Sequence, residues 1–285
     1  MSYVFPRTAV AGVSLSRMII GTNWLLGWSH RSSSADEGIK ARYSCADDFF
    51  PILEAYTDNG VDTLMAPIST QPLMIDAINN FREKSGRGLI LVDTPILNVD
   101  DNRTARKEAE KQIRYSASLG CKFCLIHHSS AEQLVNKNKR TIERISDYTQ
   151  MIREAGMIPG LSAHMPELIV YSDQNGYDIE TYIQIYNCMG FLMQVEIETV
   201  ASIIHNAKKP VMTIKSMAAG RTTPYVGLSF SFATIRDCDM VTVGASTAKE
   251  ALEDIEISMA ILERRFPGMK KRSSPNNNQS AFGKI

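Results

Sequence analysis

The sequence has no long apolar run and no excess of charge of one sign, and each absence excludes a class of protein. No stretch of about 18 consecutive apolar residues occurs, so the chain offers no candidate membrane span. Lysine plus arginine and aspartate plus glutamate number 31 each, which gives a formal net charge of zero. Without an overall positive field to attract a phosphate backbone, a nucleic acid is not the expected partner.

Cysteine is sparse, and the pattern of an export signal is missing. The 5 cysteines are odd in number and scattered over 285 residues, which predicts reduced core thiols rather than a disulfide framework. No basic region leads into an apolar run at the N-terminus, as it would in a signal peptide. We therefore expect a cytoplasmic protein, and the sequence is compatible with a homo-oligomer.

The sequence does contain one pattern repeated along its length: a short apolar β-rich run, a polar loop and an amphipathic helical segment. The predicted strands span residues 18–21, 61–65, 88–92, 122–127, 158–162, 179–186, 211–215 and 240–243. Helical patterns between them include residues 104–119, 141–155, 195–208 and 247–265. Strict alternation predicts parallel strands, and eight units in about 250 residues favour a closed (β/α)8 TIM barrel. No GxGxxG motif follows the first strand, which weakens an open dinucleotide-binding sheet.

The two ends of the chain lie outside this repeat. Residues 3–16 predict a short N-terminal hairpin that closes the bottom of the barrel, and residues 267–285 predict a polar, basic C-terminal tail. No linker-like composition interrupts the repeats, so we predict a single barrel domain over residues 1–266. Gly60, Gly120 and Gly156 follow helical patterns and predict where those helices end.

Histidines cluster at the ends of two neighbouring predicted strands. In a (β/α)8 barrel the functional groups gather on the loops after the carboxyl ends of the strands. His127, His128 and His164 fall there, and imidazole can move protons near neutral pH or bind a metal. We predict His127 and His164 as catalytic groups, and His128 and His164 with Asp93 as ligands of a divalent metal (Mn, Zn, Fe or Ni). For any single histidine, a hydrogen-bonded wall residue is an equally good interpretation.

Other strand ends and loops supply further candidates. Asp93 and Lys215 are predicted catalytic residues; Lys215 would bind an anion or, if burial lowers its pKa, form a Schiff base. An ion pair between Lys215 and Asp93 is the alternative. His30 precedes a serine-rich segment, residues 31–36, that we interpret as a solvent-exposed loop. The substrate-binding candidates are Trp24, Trp28, Tyr186 and Arg221.

Several strings resemble the aldo-keto reductase superfamily and occur in that family's order. They are Val13–Trp24, Leu125–His128, Gly160–Ile169, Ile183–Asn187, Pro210–Gly220 and Val243–Asp254, which resemble successive strands and the cofactor-binding helix. The resemblance implies an NAD(P) cofactor, with Ser162, Asn187 and Ser246 at positions that contact it.

The sequence departs from that family at the residues that carry its chemistry. The resemblance implies an aspartate, a tyrosine proton donor and a lysine beside the histidine. Met65 stands in the place of the aspartate, Thr70 stands near that of the tyrosine, and Asp93 replaces the lysine at the third strand end. His127 alone matches. Without the phenol, protonation of a carbonyl oxygen during hydride transfer loses its acid, which makes NAD(P) use doubtful.

Three functions remain open from the sequence. The first is an enzyme that acts on a small polar, carbohydrate-like substrate by His/Asp acid–base or metal-assisted chemistry, as an isomerase, epimerase, lyase or hydrolase. The second is an NAD(P)-dependent oxidoreductase with an unconventional proton donor, such as His127 or His164. The third is a noncatalytic ligand-binding or regulatory protein that keeps the fold.

Overall fold

The computed structural model describes residues 4–268, and its strands alternate with helices along the chain. The strands are β1 (Arg7–Val10), β2 (Val13–Ser16), β3 (Met18–Gly21), β4 (Thr63–Ala66), β5 (Ile90–Asp93), β6 (Phe123–Ile126), β7 (Val135–Asn136), β8 (Thr141–Ile142), β9 (Ile158–Ala163), β10 (Thr181–Ile185), β11 (Val211–Ile214) and β12 (Met240–Val243). The helices are α1 (Asn23–Leu26), α2 (Ser33–Arg42), α3 (Phe50–Thr57), α4 (Pro72–Ser85), α5 (Arg103–Ser118), α6 (His128–Ala131), α7 (Ile145–Glu154), α8 (Glu167–Asn175), α9 (Ile197–Asn206), α10 (Pro224–Thr234) and α11 (Ala248–Leu262).

Eight of these strands close into a parallel barrel, which confirms the predicted (β/α)8 architecture. Its order is β3, β4, β5, β6, β9, β10, β11 and β12, and β12 pairs with β3 to complete the ring. The predicted spans at residues 18–21 and 240–243 coincide with β3 and β12, and the others differ at their ends by one or two residues. Because both faces of each strand are covered, the strands are continuous apolar runs rather than alternating ones.

Alternation along each strand still divides the core into two parts. Val92 on β5 and Phe123 on β6 point into the barrel, where they pack with Ile19 and Met212. Their neighbours, such as Leu91, point outwards and pack against the helices. Since successive side chains of a strand face opposite sides, this parity fixes which residues at the strand ends can face the barrel mouth.

The N-terminal hairpin closes the bottom of the barrel, as predicted. β1 and β2 pair antiparallel, and Val10 and Leu15 join the cluster of side chains that fills the barrel interior. Residue 3 of the predicted hairpin and the tail from residue 269 onwards lie outside the described residues.

The predicted helix ends are confirmed by the backbone. Gly60, Gly120 and Gly156 have φ of 76°, 79° and 81° and precede β4, β6 and β9. A glycine adopts this left-handed conformation without the steric penalty that a side chain would bring, so it ends the helix and frees the chain to enter the strand.

Two local predictions were wrong. The helix expected from residue 141 begins at Ile145, because Arg144 has a left-handed backbone and Thr141–Ile142 pair with Val135–Asn136 as a small hairpin. The serine-rich segment after His30 is not an irregular loop throughout. It leads into α2, whose start is capped by the Ser32 hydroxyl accepting the Ala35 N–H. No helix within residues 4–268 is long and apolar enough to cross a membrane.

Candidate active site

A cavity of about 810 Å³ opens at the carboxyl ends of the barrel strands, where this fold places its functional sites. Most of the residues predicted from the sequence border it. They are Trp24, Trp28, His127, His128, Ser162, His164, Lys215 and Ser246. Four others do not border it: Asp93, Tyr186, Asn187 and Arg221.

The three clustered imidazoles lie together on one wall. His127 follows β6, His128 begins α6 and His164 follows β9, which pairs with β6. The ring centroids of His127 and His128 are 4.2 Å apart, and those of His128 and His164 are 3.7 Å apart. Parallel pairing of β6 with β9 therefore unites residues that are far apart in the sequence, as expected from the strand ends.

Two of these imidazoles are neutral at pH 7. Burial, together with the neighbouring charges of His128 and Lys215, lowers the pKa of His127 to about 4 and that of His164 to about 3. The backbone N–H of Ser129 donates to His127 Nδ1 at 3.3 Å, and the Ser129 hydroxyl lies 2.8 Å from the same atom. Since Nδ1 accepts, the proton of neutral His127 is on Nε2.

The predicted metal site is not assembled. The rings of His128 and His164 stack with an interplanar angle of 17°, so their in-plane nitrogen lone pairs run side by side instead of converging on one point. Within residues 4–268 no group of three His, Cys, Asp or Glu side chains could hold a metal ion. The third predicted ligand, Asp93, lies elsewhere.

Asp93 faces the helices rather than the cavity, which corrects its predicted place beside the histidines. Its carboxylate accepts hydrogen bonds from the Ser69 N–H at 3.3 Å and from the Ser116 hydroxyl of α5. Burial raises the pKa of this carboxyl. The parity of β5 explains the error: Val92 points inwards, so the next side chain along the strand points outwards.

Lys215 projects into the cavity without a carboxylate partner. Its Nζ lies 2.9 Å from His30 Nε2, and in the described part of the chain it forms no ion pair, so the expected pair with Asp93 is wrong. Burial alone lowers the pKa of Lys215 to about 8. The residue also has a left-handed backbone, with φ of 62°, a conformation that is costly for a side chain with a Cβ.

His30 was not among the site residues predicted from the sequence, yet it borders the cavity and contacts Lys215. Because the lysine ammonium can only donate, His30 Nε2 accepts the hydrogen bond between them, and burial and the charge of Lys215 lower the pKa of His30. The residue has φ of 55°, and its carbonyl oxygen accepts from Arg221 at 3.3 Å. A histidine in a polar loop 185 residues before its partner carries no local signal of that contact.

Two predicted substrate-binding residues are engaged elsewhere. The Tyr186 hydroxyl bonds Thr234 of α10 at 2.9 Å in the helix layer, so its expected place in the cavity is wrong. Arg221 donates to the carbonyl oxygens of Ala218 and His30 and stacks over Phe191, with its Cζ 3.9 Å from the ring centroid. It joins loops at the rim instead of presenting a free guanidinium to an anion.

Comparison with solved structures matches this architecture to a known fold. A protein from Pseudomonas aeruginosa described as an aldo-keto reductase superposes with a TM-score of 0.64 at 12% identity, covering 92% of this chain and 98% of that one. A second such structure from that organism gives 0.62 at 14%, covering 90% and 95%. Glycerol dehydrogenase from Gluconobacter oxydans gives 0.56 at 12%, covering 94% and 98%. This chain has the aldo-keto reductase fold.

The likeness is one of fold rather than of sequence. No protein-family model and no curated protein matches the chain. The departures expected at the catalytic positions are visible in the structure. Met65 borders the cavity, Thr70 is exposed and bonds its own turn at Pro67, and no tyrosine is among the described residues that border the cavity. The aldo-keto reductase fold is therefore present here without a phenol at its mouth.

Two of the three positions matched to NAD(P) contacts have their side chains bonded to nearby residues. The Asn187 amide is taken up by its own loop, donating to the Phe191 carbonyl and accepting from the backbone N–H groups of Met189 and Phe191. The N–H and hydroxyl of Ser246 both donate to the Glu250 carboxylate. Ser162 alone of the three borders the cavity without such a bond.

Proposed function

We propose that this protein is a lyase that binds a small polar hydroxy-carbonyl compound as a Schiff base at Lys215 and uses the surrounding imidazoles for proton transfer. One observation carries the proposal: the half-buried Lys215 amine lies in the cavity beside the His30 imidazole and has no carboxylate partner among residues 4–268. A lysine with only a structural role in this position would be expected to form an ion pair with a carboxylate.

The environment of Lys215 favours its neutral, nucleophilic form. A pKa of about 8 leaves roughly a tenth of the amine unprotonated at pH 7, compared with less than about a thousandth for an ordinary lysine. His30 Nε2, at 2.9 Å, is placed to accept the proton that the ammonium must release.

The proposed reaction consists of proton transfers and bond changes that need neither a metal nor a redox cofactor. The Lys215 nitrogen attacks the carbonyl carbon while His30, protonated by the ammonium, gives its proton to the carbonyl oxygen. His30 then takes a proton from the attached nitrogen and returns it to the new hydroxyl, which leaves as water, so that an iminium remains. When the substrate has a hydroxyl two carbons away, a neutral imidazole such as His127 or His164 takes the hydroxyl proton. The carbon–carbon bond then breaks, its electrons forming an enamine and releasing an aldehyde; protonation and hydrolysis of the enamine free the second carbonyl product.

Reductive trapping tests this function. The protein is incubated with a panel of three- to six-carbon hydroxyaldehydes and hydroxyketones, reduced with borohydride, and digested for mass spectrometry. We expect at least one compound to add its reduced mass to the peptide that carries Lys215. Lys215→Arg keeps the charge but cannot form the imine and is expected to remove the adduct. Absence of any adduct, or adducts spread equally over surface lysines, would overturn the proposal.

A nicotinamide titration separates this function from carbonyl reduction. Since Asn187 and Ser246 are engaged by their own loops, we expect no change in the fluorescence of NADH or NADPH on addition of protein. Saturable binding of either cofactor would favour the oxidoreductase that the fold also allows.

A further inference from the structure

Three carboxyl groups border the same cavity at the start of α11. The three residues, Glu250, Glu253 and Asp254, are spaced i, i+3 and i+4, so they lie on one face of the helix, which meets the barrel mouth. Glu250 accepts the N–H and the hydroxyl of Ser246, so the start of the helix is already occupied by a carboxylate. An anion therefore has no site there, because it would meet negative charge in place of free N–H donors.

Asp254 is the informative member of the group. Asp254 is 3% exposed and lies on the buried side of α11 with Ala251, Ile255 and Ser258. Across residues 4–268 its carboxyl accepts no hydrogen bond and forms no ion pair. The Ser258 hydroxyl donates to the backbone oxygen of Asp254 and not to its carboxyl. Burial raises the pKa of this carboxyl to about 8, and repulsion from Glu250 and Glu253 adds to the effect.

A buried carboxyl that borders a cavity without a partner requires a ligand that supplies one. Buried polar groups in folded proteins are nearly always paired, and the repulsion among these three acids is relieved by a positive charge. The Trp24 indole also borders the cavity, and its Cδ1 lies 3.3 Å from where a Cβ on Gly244, between β12 and α11, would lie. Aromatic faces and carboxylates both favour a cationic ligand.

The acidic group and Lys215 lie on different elements of the cavity wall. Lys215 follows β11 and contacts His30, whereas the three carboxyl groups lie on α11, which follows β12. A molecule that reaches both would carry its carbonyl at one end and its positive charge at the other.

We propose that the α11 end of the cavity binds the protonated amine of the substrate, so that the substrate class is an amino-carbonyl compound with the two groups at opposite ends, such as a 6-amino-6-deoxyhexose. This inference rests on the proposed function for the carbonyl end. The amine site itself depends only on Asp254 with Glu250 and Glu253 beside it.

Binding measured by calorimetry tests the amine site without requiring turnover. The probes are matched pairs that differ by an ammonium in place of a hydroxyl: 6-amino-6-deoxyglucose with glucose, and ethanolamine with ethylene glycol. We expect at least one amine to bind the full-length protein ten times more tightly than its hydroxyl partner. Asp254→Asn, which preserves the shape of the side chain, should reduce that ratio to twofold or less. The control is Glu263→Gln, at the C-terminal end of the same helix and outside the cavity, which should leave the ratio unchanged.

Lys215→Arg distinguishes the two proposals. If the amine preference survives in this variant while no Schiff base is trapped in the parent protein, the amine site stands and the lyase function fails. If adducts form at Lys215 equally with amino and non-amino aldehydes, the lyase stands and the amine site is wrong. Equal binding within both probe pairs, including no binding at all, also overturns the amine site.

Discussion

At the scale of single residues, the cavity is bordered by a basic and an acidic side chain that form no ion pair with the described residues. Lys215 has a histidine where an acid would be expected, and Asp254 has no partner within the described residues. Both pKa values move toward neutrality because burial penalises the charged form of each group. Such shifts are typical of functional sites, which is why these two residues carry the proposals.

The Asp254 carboxyl gives a pH-dependent prediction for stability. Its pKa is about 8 in the folded protein and 3.8 in the unfolded chain, so between these values the folded state holds a proton that the unfolded state releases. Stability from this group is therefore present at low pH and lost as the pH rises toward 8. Asp254→Asn should raise the free energy of unfolding by roughly 2 kcal/mol at pH 8 and by much less at pH 4.

Denaturant unfolding of both proteins at several pH values measures that difference. Glu250, Glu253 and Tyr56 interact with the same carboxyl and are present in both proteins, so the comparison cancels them to first order. A difference that is constant from pH 4 to pH 8 would show that folding does not raise the pKa of Asp254, which would contradict the prediction.

At the scale of elements, α10 sets the position of the loop that carries Lys215. A Cβ on Gly227 would lie 2.6 Å from the Ser216 carbonyl oxygen and 3.1 Å from the Met217 Cα, both backbone atoms. The helix therefore packs directly on the backbone that follows the lysine. Glycine is required here because a side chain would clash with that backbone, and not because the residue has a positive φ.

Two glycine-to-alanine substitutions separate the effect of helix propensity on stability from the effect of this close backbone contact. In an open helical position alanine is better than glycine by about 1 kcal/mol, and Gly38 of α2 has nothing within 4 Å of an added Cβ. We expect Gly38→Ala to stabilise the protein by about 0.5–1 kcal/mol. Gly227→Ala should instead destabilise it by about 1–3 kcal/mol and slow Schiff-base trapping severalfold, because the Lys215 loop must move.

Thermal unfolding and the trapping assay measure both effects. The interpretation of α10 as the support of Lys215 fails if Gly227→Ala stabilises the protein as much as Gly38→Ala does.

At the scale of the whole molecule, the barrel separates stability from chemistry. The hairpin fills the end of the barrel opposite the cavity, and Leu15 is fully buried in the interior cluster. In (β/α)8 barrels the end away from the loops serves stability. The two ends are joined by the layers of inward side chains, such as Val92 and Met212.

Truncation of the hairpin's core residue tests that separation. Leu15→Ala should lower the free energy of unfolding by about 2–5 kcal/mol through lost burial and a residual cavity, while the folded variant keeps its trapping rate at Lys215. Val4→Ala, at a residue that is 72% exposed, should be near neutral. Loss of trapping in proportion to loss of stability would show that the hairpin also shapes the site.

Sequence periodicity determined the architecture and part of the site. The eight apolar runs and the helices between them require a closed parallel sheet, and that sheet brings His127, His128 and His164 to one wall. These residues were predictable because they follow strands directly, so their position depends on the strand and little else.

Tertiary structure alone decided the remaining residues. A strand end that shifts by one residue turns its side chain to the other face, which removed Asp93 and Tyr186 from the cavity. The contact of His30 with Lys215 joins loops 185 residues apart, and Asp254 borders the cavity because α11 packs beside the barrel mouth. Local pattern specifies an element and its two faces; which loops meet and which charges are buried depends on the closing of the barrel, since only then are distant segments brought into contact and removed from water.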